Sequence, residues 1–191
     1  MKRSLKRRRL EAKTDYRNRL ELLKSEKNRV VIRKTNRYII IELVESKGSN
    51  DNVIVGISSK KLLKYGWPEE LRGSLKSRAA AYLTGFLFGV IVKDKSLSLN
   101  SQRQTEANVN VLNDRAKKKA NECVLDIGMY RNIHKSRIYA ALMGIIEAGL
   151  KVTHDQRVLP ADDMIEKQEK TRSIFNKIKS EISHGWKRNK K

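Results

Sequence analysis

Apolar residues recur along the chain at two spacings, one helical and one strand-like. Tyr16, Leu20 and Leu23 fall on one helical face behind Thr14, which stands where an N-cap belongs. Val30-Val31-Ile32 is a short apolar run, closed by the polar string Arg33-Lys34-Thr35-Asn36-Arg37. Tyr38 to Val44 reads as a second strand, and Gly48-Ser49-Asn50-Asp51-Asn52 is a turn signal. Val53 to Ile57 gives a third strand, so three β-rich runs with short joins predict an antiparallel meander. Residues 58–73 read as a short helix and loop, punctuated by Gly66-Trp67-Pro68.

Ser77 to Lys93 is predicted as a helix. Tyr82, Leu83, Phe86, Leu87, Val90 and Ile91 ring much of its circumference, which marks it for burial, while Ala81, Gly85 and Gly89, four apart, form a smooth face for close packing. Asp94 to Glu122 is polar and reads either as a flexible insertion or as a helix that orders on RNA or a neighbouring protein. Cys123 to Gly128 resumes as a strand, Arg131 to Arg137 is a basic loop, and Ile138, Leu142, Ile145 and Ile146 mark a second core helix closed by Gly149. Val152 to Pro160 is an extended connector. From Asp162 a mostly polar helix carries Ile165, Ile174, Phe175, Ile178 and Ile182 and ends in a basic tail.

The order helix, three strands, helix, strand, helix predicts an α/β fold. Its mixed sheet starts with three antiparallel strands and is covered by packed crossover helices, with right-handed crossovers expected. The organisation expected is a basic extension over residues 1–13, an α/β domain over 14–160 with a polar insertion at 94–122, and a C-terminal helix and tail over 161–191.

Charge narrows the function. The 191 residues hold 43 Lys plus Arg against 21 Asp plus Glu, for a net charge of +22 and a pI near 10.2. This is the footprint of a nucleic-acid binder. A basic membrane-surface protein would need an amphipathic anchor or a lipidation signal, and neither is evident. No secretory h-region precedes the first helix, and the longest apolar stretch, Ala79 to Val92, is short of the roughly 20 residues a spanning helix needs. The one cysteine, Cys123, excludes a disulfide framework and fits a reducing compartment.

Three segments concentrate the cations. Lys2, Arg3 and Lys6 lead into Arg7-Arg8-Arg9-Leu10-Glu11-Ala12-Lys13-Thr14-Asp15-Tyr16-Arg17-Asn18-Arg19. Such density resists burial, whereas a phosphate backbone rewards it through counterion release. The bland alternative is a solvated tail, but the segment runs without a break into a helix and a strand. Arg33, Lys34, Thr35, Asn36 and Arg37 sit where two strands should meet, either as an ordinary hairpin turn or as phosphate contacts that position the protein on RNA. Arg131, His134, Lys135, Ser136 and Arg137 precede a helix start, with Ser136 as a plausible cap. Free N–H groups there favour an anion, and the alternative is a solvated loop. Tyr16 and Tyr38 either stack on an unpaired base or pack as core rings. His134, His154 and Cys123 fit no zinc spacing, and His154 reads as a structural hydrogen-bonding residue. Asp126 is the one acid inside an apolar strand. With no carboxylate constellation, phosphate loop or activated nucleophile around it, catalysis and cofactors are not expected.

Several of these stretches carry a resemblance. Arg7 to Leu20, with its Lys13-Thr14-Asp15-Tyr16 core, is similar to the basic opening of the archaeal form of the large-subunit ribosomal protein family conventionally numbered eighteen, whose eukaryotic member is numbered five. Val30 to Ile40 resembles its first hairpin and Ala80 to Gly85 its crossover helix. Leu125 to Gly128 resembles its next strand, Ser136 to Gly144 its second helix, and His154 with Val158-Leu159-Pro160 the segment after it. The resemblance covers residues 7–160. It implies a ribonuclease-H-like α/β fold without catalysis, residence in the cytoplasmic ribosome, and binding to 5S rRNA at the central protuberance. The partners it implies are 5S rRNA, large-subunit rRNA and neighbouring ribosomal proteins, with no membrane. On that footing the expected RNA contacts are Arg3, Lys6, Arg7, Arg8, Arg9, Lys13, Thr14, Tyr16, Arg17, Arg19, Arg33, Lys34, Thr35, Asn36, Arg37, Arg131, His134, Lys135, Ser136 and Arg137. The chain departs from the family in the loop at residues 131–135, which lacks the usual proline and glycine, and in the longer segment at 94–122. A basic assembly factor that binds RNA without residing in the ribosome is the reading of a different class.

Overall fold

The computed structural model describes residues 5–47, 50–103, 122–161 and 169–188. Two helices open it, α1 (Arg7–Leu10) and α2 (Tyr16–Lys24). The N-cap of α2 is Asp15 rather than Thr14. Its carboxylate accepts from the backbone N–H groups of Arg17 and Asn18, and the Thr14 hydroxyl accepts instead from Arg8 Nε at 2.9 Å. Both residue types cap well, and the phase of the first turn chooses between them.

The predicted meander forms as β1 (Asn28–Lys34), β2 (Ile39–Lys47) and β3 (Asn50–Ser58). β1 pairs antiparallel with β2, and β2 with β3. Gly48 and Ser49 of the expected turn lie outside the described residues. Asn50, Asp51 and Asn52 belong to β3 and pair with Lys47, Ser46 and Glu45. Two 3-10 segments follow, Ser59–Tyr65 and Glu69–Ser74, in place of the short helix and loop.

Helix α3 (Arg78–Arg103) runs ten residues past Lys93, so the first part of the segment read as an insertion continues this helix. Residues 104–121 lie outside the described residues. β4 (Glu122–Asp126) then pairs parallel to β1, and α4 (Arg137–Glu147) follows. A fifth strand was not foreseen. β5 (Lys151–Val152) straddles the start of the expected connector, sharing only Val152 with it, and pairs parallel to β4. Two residues are too few to show a period, so only the pairing reveals it. The five-stranded sheet has the order β3-β2-β1-β4-β5, and nothing in it conflicts with a ribonuclease-H-like arrangement.

Alternation along the strands assigns the two faces of the sheet. Val30 and Ile32 of β1, Ile39, Ile41 and Leu43 of β2 and Cys123 of β4 are buried in one core with Leu83, Leu87 and Phe88 of α3 and Leu142 and Ile145 of α4. Helices α3 and α4 meet closely because glycine faces backbone at two points. A Cβ on Gly85 would collide with the Ala141 carbonyl, and one on Gly144 with the Tyr82 carbonyl. The small-residue face read in the sequence is thus the α3–α4 contact. Gly149 closes α4 at φ +99°, with its N–H on the Ile146 carbonyl.

Helix α5 (Glu169–Arg188) is part of this core. Phe175, Ile178 and Ile182 are buried, and the Phe175 ring lies 5.2 Å from that of Tyr82. The Tyr82 hydroxyl donates to Glu147, and Lys179 pairs with the same carboxylate at 2.7 Å while lying over the Tyr82 ring. Ile165 lies outside the described residues.

Candidate nucleic-acid interface

The second face of the sheet is polar where the first is apolar. Arg29, Val31 and Arg33 alternate with the core residues of β1, and Val124 and Asp126 do the same on β4. Asp126 is buried and fully engaged. Its Oδ2 accepts from Arg29 Nη1 at 3.1 Å, and its Oδ1 from Arg33 Nη2 at 3.0 Å and from the Gly128 N–H at 2.8 Å. Arg33 also donates to the Asp126 carbonyl at 2.8 Å. Gly128 suits its place because its φ is +63°, and it lies against the Arg33 guanidinium, which a Cβ would push aside. The isolated acid of the sequence is therefore a counter-charge for two arginines, and its lone pairs are committed to them.

The network continues toward the N-terminus. Arg29 also donates to Asp51 Oδ1 at 2.7 Å and to the Ser46 hydroxyl at 3.0 Å. Arg19 of α2 donates to Asp51 Oδ2 at 2.6 Å. Burial pushes the Asp51 carboxyl up, but the Ser46 hydroxyl and the Arg29 and Arg19 guanidiniums outweigh it and hold the group below its ordinary value. Three guanidiniums and two carboxylates, drawn from α2, β1, β3 and β4, thus tie the N-terminal segment to the sheet.

Between that segment and the sheet lies a cleft of about 370 Å³. Five cations line it (Arg8, Lys13, Arg19, Arg29 and Arg33) against the carboxylates of Asp15 and Asp126, with Met129 and Tyr130 at its side. A second hollow on the outer side of the segment is lined by Lys6, Arg8, Tyr16, Arg19, Leu20 and Leu23. Tyr16 is half-buried there, with Lys6 Nζ 4.4 Å from its ring centre. Some of the charge is spent locally. Arg7 and Lys13 both pair with Glu11, and the Lys13 and Arg7 contacts hold that carboxyl below its ordinary value. Arg17 lies 3.7 Å from Glu21. Among the described residues Arg9 carries no ion pair. Lys2 and Arg3 lie outside them.

Thr35 closes the β1–β2 hairpin, its hydroxyl donating to the Tyr38 carbonyl and accepting from the Tyr38 N–H. Lys34, Asn36 and Arg37 are left exposed, while Tyr38 is half-buried against the core. The loop after β4 packs on this hairpin: the Tyr130 hydroxyl donates to the Lys34 carbonyl, and Lys34 Nζ stands 5.8 Å from the Tyr130 ring centre. Arg131, His134 and Lys135 are exposed beyond it. Lys135 takes the left-handed conformation at φ +57°, with its N–H on the Val158 carbonyl, where glycine would be the usual residue. Ser136 occupies the N-cap position of α4, but its side chain makes no capping hydrogen bond, and its carbonyl takes the Ala140 N–H. His154 Nδ1 lies 2.7 Å from the Val152 carbonyl, the structural role read for it.

The basic face is thus built on the polar side of the central strands of a five-stranded sheet. Residues 2–155 match the family described as ribosomal large subunit proteins 60S L5 and 50S L18. The chain belongs to this family. It is 42% identical over 177 residues to the large ribosomal subunit protein uL18 of Korarchaeum cryptofilum, covering 93% of this chain and 76% of that one. The uL18 of Methanococcoides burtonii is 38% identical over 159 residues, 83% of this chain and 76% of that one. For Aeropyrum pernix the figures are 32% over 160 residues, 83% and 62%. A large-subunit ribosomal protein of this family is a structural component and not an enzyme, which agrees with Asp126 serving as a counter-charge. Among the described residues no helix is long and apolar enough to cross a membrane.

Sequence reasoning placed Arg8, Lys13, Thr14, Arg19 and Arg33 near one another only in the sense that all are basic-segment residues. The structure brings them to one cleft. It leaves Arg131, His134 and Lys135 on a separate loop. It also adds residues that were missed. Arg29, Asp51 and Ser46 complete the network, and the signal for Arg29 was available as the i, i+4 pair with Arg33 across an apolar strand. Arg72 and Lys76 join Asn36, Arg37 and Tyr38 in a groove of about 510 Å³, and no linear pattern singled them out.

Proposed function

We propose that this ribosomal protein binds 5S rRNA and helps attach it to the large subunit at the central protuberance, among neighbouring ribosomal proteins. One observation carries the reading. The N-terminal cations are held over the sheet by the Arg19–Asp51 pair, and the two carboxylates lining the cleft are already committed, Asp126 to arginines and Asp15 to a helix cap. Arg8 and Arg9 of the segment and Lys34 of the neighbouring hairpin are exposed and, among the described residues, hold no ion pair, so they need an anion. RNA phosphate supplies it, and such contacts set register more than they read sequence. Residues 1–13 act as the RNA-binding extension and 14–160 as the domain that presents it. The twenty residues from Arg3 to Arg137 set out above are the contacts, with Arg33 and Thr35 contributing mainly by fixing the shape of the surface.

Titration of the full chain with 5S rRNA at several salt concentrations tests this. With roughly six to ten phosphates neutralised, affinity should fall by about three to five orders of magnitude between about 50 and 200 mM salt. Replacing Arg7, Arg8 and Arg9 together with alanine should weaken binding and leave the circular dichroism spectrum and melting unchanged, because α1 buries no residue. A flat salt response, or loss of folding in the triple variant, is incompatible with the reading.

A further inference from the structure

The N-terminal cleft has a counterpart that uses no residue of the N-terminal segment. It is the groove of about 510 Å³ lined by Asn36, Arg37, Tyr38, Arg72, Gly73 and Lys76. We infer that this groove is a second seat for an RNA sugar–phosphate backbone, with Arg37 on one wall and Arg72 and Lys76 on the other. The inference shares an RNA partner with the function proposed above but uses none of the N-terminal cations.

The local structure explains why these side chains point outward. Trp67 and Leu75 are buried at the two ends of the second 3-10 segment, and Trp67 Nε1 donates to the Leu71 carbonyl at 3.2 Å. With Leu71 and Leu75 turned toward the core, the residue after each, Arg72 and Lys76, is carried to the surface side of the segment. Gly73 between them leaves the floor open, since a Cβ there would meet nothing within 4 Å. Among the described residues no carboxylate lines the groove, and Glu69 and Glu70 at the start of the segment are not among its walls. Among the described residues Arg37, Arg72 and Lys76 have no ion-pair partner. In the N-terminal cleft, by contrast, four of the five lining cations already hold a carboxylate: Lys13 that of Glu11, Arg19 that of Asp51, and Arg29 and Arg33 that of Asp126. The groove therefore holds uncompensated charge on walls from two distant parts of the chain, set by a hairpin closed through Thr35 and Tyr38 and by a core-pinned turn. The half-buried Tyr38 ring at its edge offers a face for a base.

The test titrates the full chain across salt with 5S rRNA and, separately, with protein-free large-subunit rRNA. Arg72→Ala/Lys76→Ala should lower the slope of log K against log salt by about two on whichever RNA sits in the groove, and Arg37→Ala, on the opposite wall, by about one. Lys60→Ala/Lys61→Ala removes two exposed cations that line neither hollow and should change the slope much less. Circular dichroism checks that each variant is folded, and Arg37→Ala decides the matter if the double variant is not. An effect on the 5S arm seats 5S rRNA in the groove, and an effect on the other arm alone seats large-subunit rRNA. Unchanged slopes on both RNAs, or an equal fall in the Lys60/Lys61 variant, overturn the inference. Failure of the wild type to bind 5S rRNA refutes the proposed function instead and leaves the groove to be decided on the large-subunit arm; binding to neither RNA refutes both.

Discussion

Replacing Asp126 with asparagine removes one charge from the centre of the network and almost nothing else. The amide keeps the size of the side chain and an oxygen for the Gly128 N–H. Arg29 and Asp126 are 4% and 9% exposed at their side chains, so their pair at 3.1 Å is a buried one. Removing one member of such a pair costs about 3–5 kcal/mol, because the other charge is left buried without compensation. Two features of the site pull this toward the lower end. Arg29 keeps Asp51 at 2.7 Å, and Arg33, 36% exposed, can turn to water. The Arg33 share is then about 0–1 kcal/mol. The expected cost of Asp126→Asn is about 3 kcal/mol, a large part of the roughly 5–15 kcal/mol that holds a domain together. With a urea slope of about 2 kcal/mol/M, the midpoint should fall by about 1.5 M. Asp51→Asn serves as the comparison. Asp51 is 29% exposed, and its loss leaves Arg29 with Asp126, so a cost of about 1 kcal/mol is expected. An Asp126→Asn protein within about 0.5 kcal/mol of wild type would show that Arg29 is solvated in solution and that the network is not a structural counter-charge.

Three further outcomes follow from particular contacts. Gly85→Ala drives a methyl into the Ala141 carbonyl and should cost about 2–3 kcal/mol or more by urea unfolding, whereas Gly73→Ala, with open space around it, should stay within about 0.5 kcal/mol. The Asp51 carboxyl is held below its ordinary value of 3.8, so its contribution is present above that value and is lost as pH falls through the folded one. The stability difference between wild type and Asp51→Asn should therefore be constant near neutral pH and shrink in acid; a difference that grows in acid contradicts the assignment. Burial pushes the Cys123 thiol up to about 11, so a thiol reagent at about pH 8 should label the native protein only as fast as it opens, and fully in urea. Immediate labelling without urea would place Cys123 at the surface.

The parts of the fold that were legible in the sequence are those with a period long enough to see. The meander, the α3 helix and its glycine face each rest on many residues that repeat one physical choice. β5 was hidden because a two-residue strand has no period. The Thr14-for-Asp15 exchange at the N-cap arose because two good cappers stand side by side, and only the phase of the turn separates them. The site was legible as charge and illegible as geometry. Arg33 reads in the sequence as the first cation of an exposed turn, yet its guanidinium turns back along the strand to Asp126, 93 positions away. Asp126 itself stood out as an acid in an apolar strand, and the spacing of Arg29 and Arg33 puts both on one face of β1, but only the parallel pairing of β1 with β4 sets them beside Asp126. Arg72 and Lys76 went unnoticed because a 3-10 turn among charged residues shows neither helical nor strand spacing.

The N-terminal segment raises one more consequence. Neither α1 nor α2 buries a residue, so little apolar burial holds them in place. Their link to the sheet is chiefly ionic, through Arg19 and Asp51 at 2.6 Å. Salt then acts on RNA binding twice: it weakens the release of counterions from phosphate, and it loosens the segment that carries the cations. Asp51→Asn separates the two effects, and the sign of the change at low salt tells which matters. The substitution makes the chain one unit more positive, so if charge alone governed binding, affinity at low salt would rise. If the docked geometry of Arg8, Lys13 and Arg19 governs it, affinity at low salt should fall several-fold. The salt slope should also flatten, because the segment is already loose before salt is added. The wild-type and variant curves should then converge at high salt, where the segment is undocked in both. Tighter binding by Asp51→Asn at every salt concentration would mean that the ion pair does not position the RNA-facing cations.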